Sequence, residues 1–130
     1  MNDLFARYLD SWNHHTVDEL LAFFTDDATY VDVALNQSHT GSAGIREFIA
    51  SLESQFSSDY RFDPGLTLVG DNGYAVEWVM KGTHDGSRPA LAATNKPYAI
   101  RGVSVGELRD GKILRNTDYW SLASFSCRSA

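Results

Sequence analysis

The hydrophobic pattern of this chain changes period once, and that change limits the fold more than any other feature. Up to residue 56 the apolar residues recur at helical spacing; from residue 60 onward they alternate. Leu4, Phe5, Tyr8, Leu9 and Trp12 form one stripe and predict a helix over 2–13. Thr16-Val17-Asp18-Glu19 has the pattern of a capping box, with Val17, Leu20, Leu21 and Phe24 as the buried side of the helix it opens. Ile45, Phe48, Ile49, Leu52 and Phe56 predict a third helix over 43–56, and "ATYVDV", 28–33, reads as a short strand between the two. Residues 60–69 form a strand that Pro64-Gly65 bends or bulges, followed by a hairpin turn at Asp71-Asn72-Gly73. Strands over 74–84, 97–108 and 112–122 follow, with a loop at 85–96. The expected architecture is α+β: one domain, 1–130, with three helices covering one face of a curved antiparallel meander.

The last strand puts a carboxylate in an awkward place. Alternation gives Leu114, Asn116, Asp118, Trp120 and Leu122 one face, and Ile113, Arg115, Thr117, Tyr119 and Ser121 the other. Asp118 therefore shares a face with apolar residues. On the preceding strand Tyr98, Ile100, Gly102, Ser104, Gly106 and Leu108 share a face, and its small residues point either to a cavity or to strand curvature. A three-residue loop at Arg109-Asp110-Gly111 sets Gly102 opposite Asp118 and Ser104 opposite Asn116. A two-residue Asp-Gly turn shifts the pairing by one and brings Arg101, Val103 and Glu107 to the Asp118 face. The first register is favoured because it keeps Arg101 and Glu107 outside. Asp118 then lies in a pocket floored by glycine and walled by Leu114, Trp120 and Trp78, where desolvation raises its pKa into a useful range.

Composition excludes some partners. The net charge of −6 disfavours nucleic acid and anionic membrane as binding partners, and the scattered charges form no run. No apolar run is long enough to span a bilayer, and the N-terminus lacks the pattern of a signal peptide. With the single Cys127, these features predict a cytoplasmic protein. His14 and His15 are adjacent and point apart on a helix, His39 and His84 stand alone, and no metal, phosphate or dinucleotide motif is visible, so no cofactor is expected. His84 reads as a solvent-facing loop residue. The outward face of the last strands, with Arg101, Val103, Val105, Arg115, Thr117 and Tyr119, predicts a homodimer.

"TDDATYVDVALNQSHTGSAGIREFI", "YAVEWVMKGTHDG" and "RGVSVGELRDGKILRNTDYW" together resemble the SnoaL-like polyketide cyclases and ketosteroid isomerase-like proteins of the nuclear transport factor 2-like superfamily. The resemblance covers nearly the whole chain and implies a cone-shaped, strongly curved sheet closed by helices around a central pocket. Carried over from the isomerases, Tyr8 is an oxyanion hydrogen-bond donor and Asp32 the general base. The isomerases' second donor, a protonated Asp, falls on Ser104 here, which weakens the oxyanion hole. Carried over from the limonene-epoxide hydrolases, Tyr30, Asp32 and Asp118 are the positions that hold a water, whereas their catalytic Arg and Asp fall on Trp78 and Met80. The SnoaL-like cyclases imply an acid/base Asp in an apolar pocket, for which Asp118 is the candidate.

The resulting expectation is a cofactor-independent acid/base enzyme for a hydrophobic, carbonyl-bearing polycyclic or terpenoid-like molecule. It would enolise its substrate toward isomerisation or aldol-type cyclisation. Asp118 and Asp32 share the proton transfers, and Tyr8, Tyr30 and Asn116 orient the substrate or hold the oxyanion. Trp78, Met80 and Trp120 make the apolar wall, Ile100, Gly102 and Ser104 the strand beneath, and His39 borders the pocket. A non-catalytic binder or dimeric scaffold on the same fold, and an epoxide hydrolase-like hydrolase, are the alternatives.

Overall fold

Each apolar stripe of the sequence finds its partner in one inner sheet face. The computed structural model describes residues 2–89 and 91–121. Helix α1 (Asn2–Asn13) buries Phe5, Tyr8, Leu9 and Trp12. The short α2 (Val17–Leu21) buries Leu20, and α3 (Gly41–Gln55) buries Ile45, Phe48, Ile49 and Leu52. The strands are β1 (Phe24–Asp32), β2 (Gln37–Thr40), β3 (Arg61–Val69), β4 (Gly73–Thr83), β5 (Pro97–Arg109) and β6 (Lys112–Tyr119). They form one six-stranded, unclosed sheet in the order β2-β1-β6-β5-β4-β3. Every pairing is antiparallel except β1 with β6. Asn13 ties α1 to β3 by bonding both the N–H and the C=O of Phe62, at 2.6 and 3.0 Å.

The α+β meander and the irregularity near Pro64 match the sequence reading, since the β3–β4 register shifts between Pro64 and Thr67. Several details differ. Strand β1 starts four residues earlier than expected and takes Phe24 out of α2, and β2, only four residues long, has no alternation pattern that would announce it. The capping box does not form: Thr16 Oγ1 donates to His14 O at 3.4 Å, and Glu19 pairs with the His14 ring at 2.9 Å. His14 and His15 follow α1 rather than lying on it, and His15 turns the chain with φ 56°. His84 is fully buried, its Nδ1 accepting from Thr94 N–H at 3.3 Å, because the 85–96 loop folds back over it. Strand β6 ends at Tyr119; Leu122 and Cys127 lie outside the described residues.

The β5–β6 hairpin corrects the register. Asp110 and Gly111 both take left-handed φ, 53° and 79°, making a two-residue turn with Arg109 opposite Lys112. Such a turn alone would bring Arg101 and Glu107 to the Asp118 face. A bulge opposite the Glu107–Leu108 step absorbs one extra residue, Leu114, so Glu107 pairs with Arg115 and parity is restored. Ser104, not Gly102, therefore lies opposite Asp118, and Gly106 opposite Asn116. Ahead of the bulge the faces are exchanged: Ile113 is buried and Leu114 is only half-buried.

The small residues of β5 are room for rings, not for a cavity. A Cβ on Gly102 would lie 2.3 Å from Trp78 Cη2, and one on Gly106 would lie 2.0 Å from Arg115 O and 2.5 Å from Tyr74 Oη. Both rings come from β4 and lie across β5. Among the described residues no helix is long and apolar enough to cross a membrane.

Gly106→Ala should cost roughly 2 kcal/mol or more, because the obstructing Arg115 oxygen is backbone and cannot turn aside. A lowered urea midpoint at unchanged m is the expected reading. Gly70→Ala, whose Cβ would meet nothing closer than 3.8 Å, is the control and should be near neutral.

Candidate functional site

Asp118 and Asp32 are neighbours across the parallel β1–β6 pairing, and both are buried, 7% and 3% exposed. Both line one cavity of about 20 Å³ with Tyr30, Trp78, Met80 and Trp120. Phe48, Leu52, Phe56, Phe62 and Ile100 complete its wall. Among the described lining residues Trp120 alone is partly exposed, so on this part of the wall it marks where the cavity approaches solvent.

Three side-chain donors hold Asp118. Ser104 Oγ donates to Oδ1 at 2.6 Å, Asn116 Nδ2 donates to Oδ1 at 2.8 Å, and the Tyr30 hydroxyl donates to Oδ2. Each donor is itself positioned. Trp78 Nε1, laid over Gly102, donates to Ser104 Oγ at 2.8 Å, and the Tyr74 hydroxyl donates to Asn116 Oδ1 at 2.5 Å. The Tyr8 hydroxyl meets that of Tyr30. Burial pushes the Asp118 carboxyl up to about 6 against these three hydrogen bonds, and the nearby Asp32 charge pushes the same way. Burial also raises the Tyr8, Tyr30 and Tyr74 hydroxyls, which keeps all three as neutral donors.

Asp32 is held differently. Trp120 Nε1 spans both of its oxygens at 3.1 Å, and Leu35 N–H donates to Oδ1 at 2.9 Å. Burial raises its carboxyl too, while these bonds and the charge of Arg88 work against that rise.

The structure thus brings together Asp118, Asp32, Tyr30, Trp78, Met80, Ile100 and Trp120 around one cavity. Asn116 and Ser104 stand behind Asp118 as its donors, and Gly102 lies beneath the Trp78 ring. Tyr8 is buried in an aromatic cluster with Phe5, Trp12, Phe23 and Phe24, one hydroxyl removed from Asp118. His39 bonds Gln37 at 3.0 Å and packs on Phe48, outside the cavity wall. Leu114 is not in the wall. Sequence reading missed Tyr74, although its even position on β4, in step with Val76 and Trp78, was a usable signal. It also missed Arg88, whose place in an irregular loop gives no periodicity to read. Among the described residues no three potential ligands form a metal-binding group.

The SnoaL-like domain model matches residues 5–116. The chain belongs to the SnoaL-like family. This SnoaL-like protein has the fold of a ketosteroid isomerase-like protein from Catenulispora acidiphila crystallised with trimethylamine. That pair has a TM-score of 0.80 and 21% identity over 93% of this chain and 87% of the other. It is similar to a Silicibacter sp. TM1040 protein assigned as a polyketide cyclase, with TM-score 0.81 and 25% identity over 95% and 90% of the two chains. The epoxide hydrolase/cyclase-like enzyme SalBIII, described in pyran ring formation in the polyether salinomycin, also shares the fold. Its TM-score is 0.76, with 23% identity over 95% and 92% of the two chains. No curated protein sequence matches this SnoaL-like chain.

Burial of Asp118 gives stability a pH dependence. The folded chain holds a proton at about pH 6 that the unfolded chain, near 3.8, has already released. The resulting stabilisation is fully present below about pH 4 and is lost as pH rises through 6, by up to about 3 kcal/mol. Urea unfolding of the parent from pH 4 to 7 should show this decline relative to Asp118→Asn. Parallel curves for the two proteins would mean that Asp118 titrates normally.

Proposed function

We propose that this SnoaL-like protein is an acid/base enzyme that enolises a hydrophobic, carbonyl-bearing polycyclic or terpenoid-like substrate, leading to isomerisation or aldol-type ring closure. The observation that carries this reading is the pair of carboxylates, Asp32 and Asp118, set side by side in one aromatic-walled cavity. Two such groups do not ionise independently and titrate as a unit. In the singly protonated pair, Asp118, the more strongly shifted, carries the proton. Asp32 takes a proton from the carbon next to the carbonyl. The C–H pair becomes the enol double bond, and the carbonyl oxygen takes a hydrogen bond or proton from Asp118. In ring closure the enol carbon attacks a second carbonyl, the first carbonyl re-forms as its oxygen returns the proton or hydrogen bond to Asp118, and the proton on Asp32 passes to the new alkoxide.

Tyr30, Ser104 and Asn116 all donate to Asp118, which favours its carboxylate form and limits the rise that burial causes. That balance suits a group that must both hold and release a proton. A substrate larger than the 20 Å³ cavity enters by displacing Trp120, which also releases Asp32 from its indole donor. The chain's own carboxylates supply the chemistry of this scheme, with no cofactor.

A second reading, hydrolysis, is favoured by the cavity's size. About 20 Å³ holds one water, and Tyr30, Asp32 and Asp118 give it three polar neighbours. In that scheme the water attacks an epoxide carbon while one carboxylate takes its proton, and the epoxide C–O bond breaks as its oxygen takes the proton held by the other carboxyl.

Asp118→Asn and Asp32→Asn distinguish these schemes from a purely binding or scaffold role. In Asp118→Asn the new side-chain amide can turn its oxygen to Ser104 and Asn116 and its N–H to the Tyr30 oxygen, so the fold should persist. A thermal-shift screen of polyketides, ketosteroids and terpenoids should find ligands that both variants retain. Turnover should fall by roughly 100- to 10,000-fold. Ligands bound without turnover by the parent would favour the binder.

The active unit is proposed to be a homodimer joined through the outer sheet face. A row of small and apolar residues crosses five strands there: Val31, Thr117, Val105, Ala75 and Leu68. Leu68, Val105 and Tyr119 are 59%, 42% and 48% exposed. The Arg115–Glu107 ion pair flanks the row on one side, and Arg101 and Glu77 on the other. A patch carrying both signs around an apolar centre can pair with a copy of itself about a two-fold axis. Sedimentation at micromolar concentration should give a dimer that Val105→Glu dissociates; a parent that sediments as a monomer would rule the interface out.

A further inference from the structure

A second cavity, of about 150 Å³, lies among the three helices. None of the residues around it lines the Asp32/Asp118 cavity. Trp12 stands between the two. Its indole packs on Tyr30 and Phe62, which belong to the wall of the other cavity, at 6.3 and 5.5 Å between ring centres. Arg46, Ile49, Ala50 and Glu53 recur at helical spacing and present one face of α3 to the second cavity. Burial is graded across its wall. Trp12, Leu20, Ile49 and Tyr60 are buried, His15 and Glu53 are half-buried, and Thr16, Arg46 and Ala50 are exposed. The space is therefore a slot with an aromatic and aliphatic floor, open to solvent beside Ala50.

The polar groups of the slot are fixed within the protein itself. His15 turns the chain with a left-handed φ of 56°, and its ring stacks on Tyr60 at 4.1 Å and 21°. Its Nδ1 lies 2.6 Å from Glu53 Oε1 and its Nε2 2.7 Å from Tyr60 O. Both ring nitrogens are thus engaged, so His15 acts as a clamp on Glu53 rather than as a contact for a ligand. Glu53 Oε2 has no hydrogen-bond partner among the described residues, and a carboxylate accepts through both oxygens. Arg46 pairs with Asp18 at 2.6 Å. A ligand anion would meet Glu53, and a ligand cation would meet Arg46, so the wall favours a neutral molecule. Size limits it further: an apolar cavity of about 150 Å³ accommodates one benzene ring.

We propose that the slot between α1, α2 and α3 is a binding site for a neutral, single-ring phenol. The phenol hydroxyl donates to Glu53 Oε2, and the ring lies among Trp12, Leu20, Ile49 and Tyr60. His15 holds the carboxylate in place for that bond. The site is separate from the Asp32/Asp118 pair and does not rest on the acid/base reading of it.

The test is a titration of the ¹⁵N-labelled protein, followed by amide shifts in NMR spectra, with phenol, with anisole and with benzylamine. Anisole keeps the ring but lacks the donor, and benzylamine is a cation. Phenol should shift amides around the slot, in 11–20 and 46–60, and should bind about tenfold more tightly than anisole, as a hydrogen bond to a charged acceptor predicts. Ala50→Leu, at the exposed mouth, should abolish binding and leave the rest of the spectrum in place. Glu53→Gln keeps an oxygen for His15 but replaces the second acceptor with an N–H donor, so phenol should fall to the affinity of anisole. Phenol shifts confined to the Asp32/Asp118 cavity, no saturable shift at millimolar phenol, or an Ala50→Leu protein that binds as the parent does would overturn the site. Equal affinity of the parent for phenol and anisole, tighter binding of benzylamine, or a preference for phenol that survives Glu53→Gln would overturn the assigned ligand. If Ala50→Leu fails to fold, the Glu53→Gln comparison decides the matter by itself.

Discussion

The site depends on keeping one carboxylate, that of Asp118, out of water without leaving it unpaired. A buried carboxylate is destabilising unless donors surround it, and the protein supplies three from three strands: Tyr30 from β1, Ser104 from β5 and Asn116 from β6 itself. Behind them stand Trp78 and Tyr74 from β4 and Tyr8 from α1. Four of the six strands and one helix must therefore be in register for the network to close. Such networks are worth more closed than partly satisfied, so Asp118 both constrains the fold and tunes the site.

The glycines of β5 belong to the same requirement. Trp78 reaches Ser104 only because Gly102 lets the indole lie flat across the strand, and Tyr74 reaches Asn116 across Gly106. What looks in the sequence like empty volume is filled by aromatic rings aimed at the Asp118 network. The remaining space is small, and Trp120 stands between it and solvent while holding Asp32. The two carboxylates thus differ in how they are held. Asp118 is enclosed by groups of the sheet, and Asp32 is held by an indole at the rim and a loop N–H.

The hairpin between β5 and β6 shows how local rules combine. An Asp-Gly turn favours two residues, whereas burial favours keeping Arg101 and Glu107 outside. Either preference alone gives a wrong pairing. The bulge at Leu114 reconciles them by inserting one residue, and it sets Ser104 against Asp118. The inward direction of Asp118 follows from parity; its actual partner follows from the bulge.

By itself, the sequence determined the α+β class, the apolar sides of α1 and α3, the break at Pro64, the meander, and the inward placement of Asp118 and Asp32 among aromatics. These follow from periodicity, resemblance and the preferences of glycine and proline, which act over a few residues. Tertiary structure alone decided that Ser104 and Asn116 hold Asp118, that Tyr74 and Trp78 fill the glycine positions and that His84 is buried. Apart from Asn116, only two positions from Asp118, those outcomes depend on groups 10 to 42 positions apart in the chain meeting across strands or over a loop. Register and loop packing fix such meetings, and no short stretch of residues encodes either one.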